Sequence, residues 1–359
     1  MRLIDMDTHF APVDEFAYVA DDLKYYTPAW LPHGEGRVAL VTPASEPVKR
    51  TGSHAASRRI PGDFDPDVRL RDMDAMGVER QLLNPEFGAY SFDVEPRLAA
   101  EMCRSANYAV GNVLKAHPDR FIGSAVIPTQ SVKASVEEAE RALDAGFQTF
   151  FMKSAQGGKN FDDQHFWPLW DFANEHNIPF SVHANGRDRG TVIDAMRTGP
   201  SWGFFVATLA DYHTVACSMI YSGMFDSFPN LRFCLGEAGA TWLLWLWDRM
   251  ALTYEVDTGS RRLTRKHPTE YLLSNIYATV DPTEESLGHL CQRFPPTNLM
   301  LGTDYPHSDI TGRGGKPDKV AELRATHIDL LLERDDLSQE VKENIAYKNA
   351  LKFLGGRVE

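Results

Sequence analysis

Three stretches of the chain put metal-ligand and proton-transfer side chains at the ends of apolar runs. In Ile4-Asp5-Met6-Asp7-Thr8-His9, Asp7 and His9 are two residues apart on an extended chain and so point to one side. A carboxylate and an imidazole together suit one metal ion, although an Asp-x-His pair alone is met equally well by a hydrogen-bonded strand end. In Phe180-Ser181-Val182-His183, an apolar run ends in His just before Ala184-Asn185-Gly186. In Leu301-Gly302-Thr303-Asp304-Tyr305-Pro306-His307, a third run ends in a carboxylate. Of the 12 histidines, only His9, His183 and His307 lie at or just beyond such ends, so coincidence is a poor account. Two carboxylates and two imidazoles (Asp7, His9, His183 and Asp304) compensate a 2+ ion and leave positions open for substrate or water. Mixed oxygen and nitrogen donors suit one Zn2+ or Mn2+, and the lack of cysteine among them argues against a closed structural zinc site.

For these residues to meet, the strands carrying them must be neighbours in one sheet. Eight short apolar runs alternate with helical patterns: Leu3 to Asp7, Arg80 to Asn84, Phe121 to Ile127, Thr149 to Lys153, Pro179 to His183, Leu231 to Glu237, Ile276 to Val280 and Leu299 to Asp304. Between them, segments such as Val132 to Ala145 and Asp163 to His176 carry apolar residues at helical spacing. Eight βα units without a GxGxxG turn after the first strand predict an α/β fold, a closed (β/α)8 TIM barrel whose chemistry sits at the strands' C-terminal ends. Residues 10–66 break the repeat after the first strand and are expected to cover that face. Val256 to Pro268, with the basic run Arg261, Arg262, Arg265, Lys266 and His267, is expected to be a solvated link. Residues 1–359 are read as one domain.

Longer stretches carry a family resemblance: IDMDTHF, DPDVRLRDMDAMGVERQLLNP, AVIPTQSVKASVEEAERALDAGF, VHANG, SGMFDSFPNLRFCLGEAGATW, LGTDYPHSD and ENIAYKNALKFLG. Together they resemble the amidohydrolase superfamily, in the branch of aminocarboxymuconate semialdehyde decarboxylase, the resorcylate-type aromatic acid decarboxylases and related hydrolases. The resemblance implies that Asp7, His9, His183 and Asp304 hold the metal, and that Asp304 also moves a proton to or from the substrate. It points His213, in the helical run Phe204 to Phe225, toward the pocket, and it implies a homodimer. One departure stands out: where those decarboxylases carry a His in the sixth strand, this chain has Glu237. Glu237 can act as a general acid or base if burial raises its pKa.

Further candidates surround this set. Arg187 and Arg189 can clamp a substrate carboxylate or sit in an exposed loop. Lys153, the only charged residue in Phe150 to Ser154, can reach the pocket or bridge to a neighbouring strand. His307 can contact substrate or orient the Asp304 turn. Trp242, Trp245 and Trp247 fit core or a subunit interface. The net charge of -13 disfavours nucleic acid as a partner. The four cysteines are widely spaced and fit buried free thiols in a reducing compartment, and no targeting or membrane-spanning segment is seen, so a cytoplasmic location is expected. The expected function is a metal-dependent non-oxidative decarboxylase of a small aromatic or unsaturated carboxylic acid. The alternative is a metal-dependent hydrolase of an amide, lactone or related small polar substrate.

Overall fold

The computed structural model of the protein describes residues 1–32, 38–41, 60–85, 94–154, 156–183, 202–256, 264–307 and 319–358. Its strands are β1 (Ile4–Asp5), β2 (Ala29–Pro32), β3 (Val38–Val41), β4 (Arg80–Leu83), β5 (Phe121–Val126), β6 (Thr149–Lys153), β7 (Phe180–His183), β8 (Phe233–Leu235), β9 (Ile276–Val280) and β10 (Leu299–Leu301). Eight of them form one parallel sheet in the order β1-β4-β5-β6-β7-β8-β9-β10, with helices in the connections. This is the (β/α)8 barrel expected from the repeat. β2 and β3 form a separate antiparallel ribbon within the 10–66 insertion.

Local chemistry sets where the crossover helices begin and end. Asp65 accepts hydrogen bonds from the backbone N–H groups of Asp67 and Val68, Pro66 starts the helix Pro66–Met76, and Gly77 ends it with φ at 69°. Ser131 caps the helix Val132–Asp144 in the same way, close to the predicted span. The helical run expected over Phe204 to Phe225 is Trp202–Tyr221, followed after Gly223 by a short turn, Met224–Ser227. The basic run is more ordered than a solvated link would be. Arg265 N donates to Asp226, Lys266 N donates to Tyr271, and His267 caps the helix Pro268–Ser274 in a capping box with Glu270. Residues 257–263 of that link lie outside the described residues.

Two apolar layers follow from strand alternation. Phe233 and Leu235 face the outer core shared with the helices, whereas Cys234 joins Ile4, Leu82, Ile122, Tyr277 and Met300 in a separate buried cluster. Ala350, Phe353 and Leu354 pack into that second cluster. Asn349 hydrogen-bonds to Leu299 O and Arg232 Nε donates to Phe353 O, which fixes the C-terminal segment at the strand beginnings. One end of the barrel is thus plugged, and chemistry is confined to the other. There, Phe16 and Val19 of the insertion pack on Val126 and Phe151 near the ends of β5 and β6.

The barrel closes beyond the ends of its first and last strands. Met6 N donates to Leu301 O, Asp304 N to Asp7 O and His9 N to Tyr305 O, each at 2.8 Å. Under this seam Asp5, fully buried, accepts from Thr303 N at 3.0 Å, Thr303 Oγ1 at 2.6 Å and Gln81 Nε2 at 3.1 Å. Burial pushes the Asp5 carboxyl up to about 6. Thr303→Val removes one donor to a buried acid and is expected to destabilise the fold by about 1.5–3 kcal/mol. Chemical denaturation with an unchanged midpoint would refute that role.

Candidate metal centre

Asp7, His9, His183 and Asp304 converge at the open end of the barrel, and each is 5% exposed or less. Asp7, His9 and His183 bring ligand atoms within 4.8 Å of one another, and His9, Asp304 and His307 do the same. The two groups share His9. The His9 and His183 rings meet edge to face at 4.7 Å, and His9 stacks on His307 at 4.5 Å. His307, assigned from sequence to substrate contact or support, therefore stands at the same point as the expected ligands.

Strand ends are bent to make this possible. β8 and β10 stop earlier than their apolar runs suggest, because Glu237 and Asp304 turn into the left-handed region with φ of 61° and 56°. Asp7 Oδ2 accepts from Glu237 N at 2.7 Å and from Thr279 Oγ1 at 3.0 Å, so two other strands hold its carboxylate. Gly302 lets them approach: a Cβ there would lie 2.7 Å from Thr279 Cβ and 2.8 Å from Asp7 Cβ. Asp7 Oδ1, by contrast, is buried and takes no hydrogen bond among the described residues. A buried carboxylate oxygen kept clear of donors, beside two imidazoles and a second carboxylate, fits a divalent cation.

Electrostatics agree with that fit. Burial and the neighbouring His307 and His183 push His9 down, favouring the neutral imidazole that ligates metals. Burial pushes Asp304 up, but His307, 2.8 Å away, and His9, 3.4 Å away, outweigh it and hold the carboxyl well below its usual range. Glu237 lies with Oε2 3.2 Å from His183 Nε2, and burial together with the Asp304 charge pushes it up to about 8. Burial thus favours the acid form of Glu237 while the histidines favour the carboxylate form of Asp304, a division that suits general acid chemistry.

A small pocket opens here, lined by Asp7, Glu237, Thr279, Asp281, Asp304 and Arg324 among others. His213 is not in that lining; it stacks on Trp245 at 4.9 Å, beside Trp242. Its neighbour Tyr212 reaches the strand ends instead, donating to Gly236 O at 2.5 Å. Lys153 ends β6, is 7% exposed, and pairs in register with His183. Arg187 and Arg189 lie outside the described residues. Trp242 is buried, Trp247 packs partly buried on the core, and Trp245 is 54% exposed.

Sequence reading missed three supporting residues: Thr279, Arg69 and Arg324. Arg69, fully buried, donates to His9 O at 2.7 Å, to Gly62 O at 3.1 Å and to Thr8 Oγ1, and its guanidinium lies over the Tyr305 ring. It joins the metal-site strand to the returning end of the insertion. Arg69 precedes the buried Met73 and Met76 at helical spacing, and Arg324 precedes Ile328 and Leu331 likewise. A cation on a buried helix face was the available signal.

The family profile described as amidohydrolase matches residues 4–356. Among curated relatives, a 2-amino-3-carboxymuconate-6-semialdehyde decarboxylase of Dictyostelium discoideum is 25% identical over 295 residues, 81% of this chain and 77% of that protein. A gamma-resorcylate decarboxylase of Rhodococcus jostii is 27% identical over 260 residues, 68% of this chain and 78% of that protein. Among solved structures, a dihydroxybenzoic acid decarboxylase from Polaromonas sp. with bound manganese and the inhibitor 2-nitroresorcinol superposes with a TM-score of 0.69. It is 20% identical, and the match covers 99% of this chain and 97% of that one.

Thr279→Val should leave the fold intact and weaken Mn2+ binding by about 10–100-fold, through loss of the hydrogen bond that orients Asp7. Calorimetric titration giving wild-type affinity would show that Asp7 needs no such support.

Proposed function

The chain belongs to the amidohydrolase family, and on that premise we propose that it is a metal-dependent non-oxidative decarboxylase of a small aromatic or unsaturated carboxylic acid. The observation that carries the reading is the buried Glu237 side chain, 3.2 Å from His183, at a cluster of metal-ligand side chains. The two curated relatives are both decarboxylases, which supports it over hydrolysis.

Asp7, His9, His183 and Asp304 would hold one divalent ion, Mn2+ or Zn2+, with Mn2+ favoured by the manganese in the Polaromonas protein. Bound there, the ion would supply Lewis-acid stabilisation of negative charge on the substrate's oxygens. The protein's own groups account for the proton. Decarboxylation breaks the bond between ring or alkene carbon and carboxylate, releases CO2 and leaves an electron pair on carbon that must take up H+. Glu237 is the acid placed to give that proton, since burial favours its protonated form and its Oε2 lies 3.2 Å from His183 Nε2. His307 Nδ1, 2.8 Å from Asp304 Oδ1, holds Asp304 in its ionised form. The 10–66 insertion is assigned the exclusion of water from this face, supported by Phe16 and Val19 packing at the ends of β5 and β6.

The protein is further read as a cytoplasmic homodimer. No described helix is long and apolar enough to cross a membrane. Trp245, Leu252 and Val256 are exposed at helical spacing along one face of Trp242–Val256, a stripe that a second copy would cover.

The metal-loaded protein, given a panel of hydroxybenzoates, should release CO2 from at least one and exchange bicarbonate into its product. Amide or lactone turnover without any CO2 chemistry would overturn the reading in favour of a hydrolase. Asp304→Asn should lower kcat by at least about 100-fold with unchanged circular dichroism; retained turnover would defeat its assignment.

A further inference from the structure

Arg324 is the one cation in the described lining of the pocket, and its contacts leave it incompletely matched. It projects from the helix Val320–Glu333 and is 4% exposed. Nη2 donates to His307 O at 2.7 Å, and Nη1 lies 3.4 Å from His327 Nδ1. Asp304 Oδ2 is 4.0 Å from Nη2, too far for a hydrogen bond. Nε is buried and finds no acceptor among the described residues. A guanidinium taken out of water is stable only when its charge and its donors are met, and here neither is met fully.

The placement says what would meet them. Asp304 Oδ1 faces His9 and His307, the metal-ligand side, while Oδ2 faces Arg324. Cation site and guanidinium therefore flank one carboxylate, on its two sides. The other aspartates in the lining, Asp7 and Asp281, disfavour an anion away from these two positions.

Resting on the proposed decarboxylase reading, we propose that Arg324 is the substrate's anion anchor, taking a carboxylate or phenolate oxygen that the ion does not. A planar fork with a spare donor suits two oxygens of one acid, and lysine cannot reproduce it.

The test is calorimetric binding of salicylate and of phenol to the full-length, Mn2+-loaded protein, with Arg324→Met and Arg324→Lys beside wild type. Salicylate affinity should fall at least about tenfold in R324M and about threefold or more in R324K, with phenol and Mn2+ affinities within about twofold of wild type. Where R324M fails to fold, R324K carries the same comparison. Unchanged salicylate binding overturns the proposal. So does an equal loss for salicylate, phenol and Mn2+, which would mean that Arg324 only holds the His307 turn. Salicylate bound through Arg324 by a protein that releases no CO2 from any acid would sink the decarboxylase reading and leave the anchor standing.

Discussion

Closure of the barrel and assembly of the site are the same event. β1 and β10 meet through Met6, Asp7 and His9 on one side and Leu301, Asp304 and Tyr305 on the other, beyond the regular ladder. The backbone atoms that close the sheet thus belong to residues whose side chains form the ligand cluster. A barrel that failed to close would scatter Asp7 and Asp304, and a shift of their register would misplace both. Asp5 shows how tightly this seam is specified, since it uses a buried acid to fix Thr303 one residue before Asp304. Buried polar networks of this kind are costly unless every member is satisfied, which makes them selective for one register.

Two side chains at the site are aimed by unusual backbone conformations. Glu237 and Asp304 have positive φ, a region that costs an L-residue about 1–2 kcal/mol. Glycine would adopt it freely but would bring no carboxyl group. The same turns release backbone N–H groups for use: Glu237 N goes to Asp7 Oδ2 and Asp304 N to Asp7 O. Asp7 is consequently held by two bent strand ends at once, which offsets the strain and explains why its remaining oxygen stays clear of other donors.

The barrel and the meeting of Asp7, His9, His183 and Asp304 at its open end could be read from sequence because strand ends concentrate chemistry and because these residues interrupt otherwise apolar runs. Strand limits were less readable: the runs ending at Glu237 and Asp304 look extended until tertiary hydrogen bonds turn them. Thr279 was invisible, because a threonine inside Ile276–Val280 reads as an ordinary strand former. Arg69 and Arg324 share their helical spacing with buried apolar residues, a signal the sequence carries, but a single cation on such a face does not say which strand ends it supports. The 10–66 insertion was found as an interruption, yet its β2–β3 ribbon carries no periodicity long enough to announce it.

Charge explains why these acids stay together. Asp7, Glu237 and Asp304 share one small pocket, and burial has removed the water that would screen them. His9 contributes little positive charge because burial drives it toward the neutral form. Arg324 offsets one carboxylate at most, and at 4.0 Å only weakly. Without another cation the cluster relieves its repulsion by keeping a proton on Glu237, which is why that carboxyl rises to about 8 while Asp304 falls. Glutamate at 237, where the resemblance expects a histidine, therefore changes more than a proton donor, because it adds an acid to a site already rich in them. A divalent ion held at this cluster, as proposed, would balance its charge as well as polarise a substrate, and Arg324 would remain as the proposed position for a second negative group.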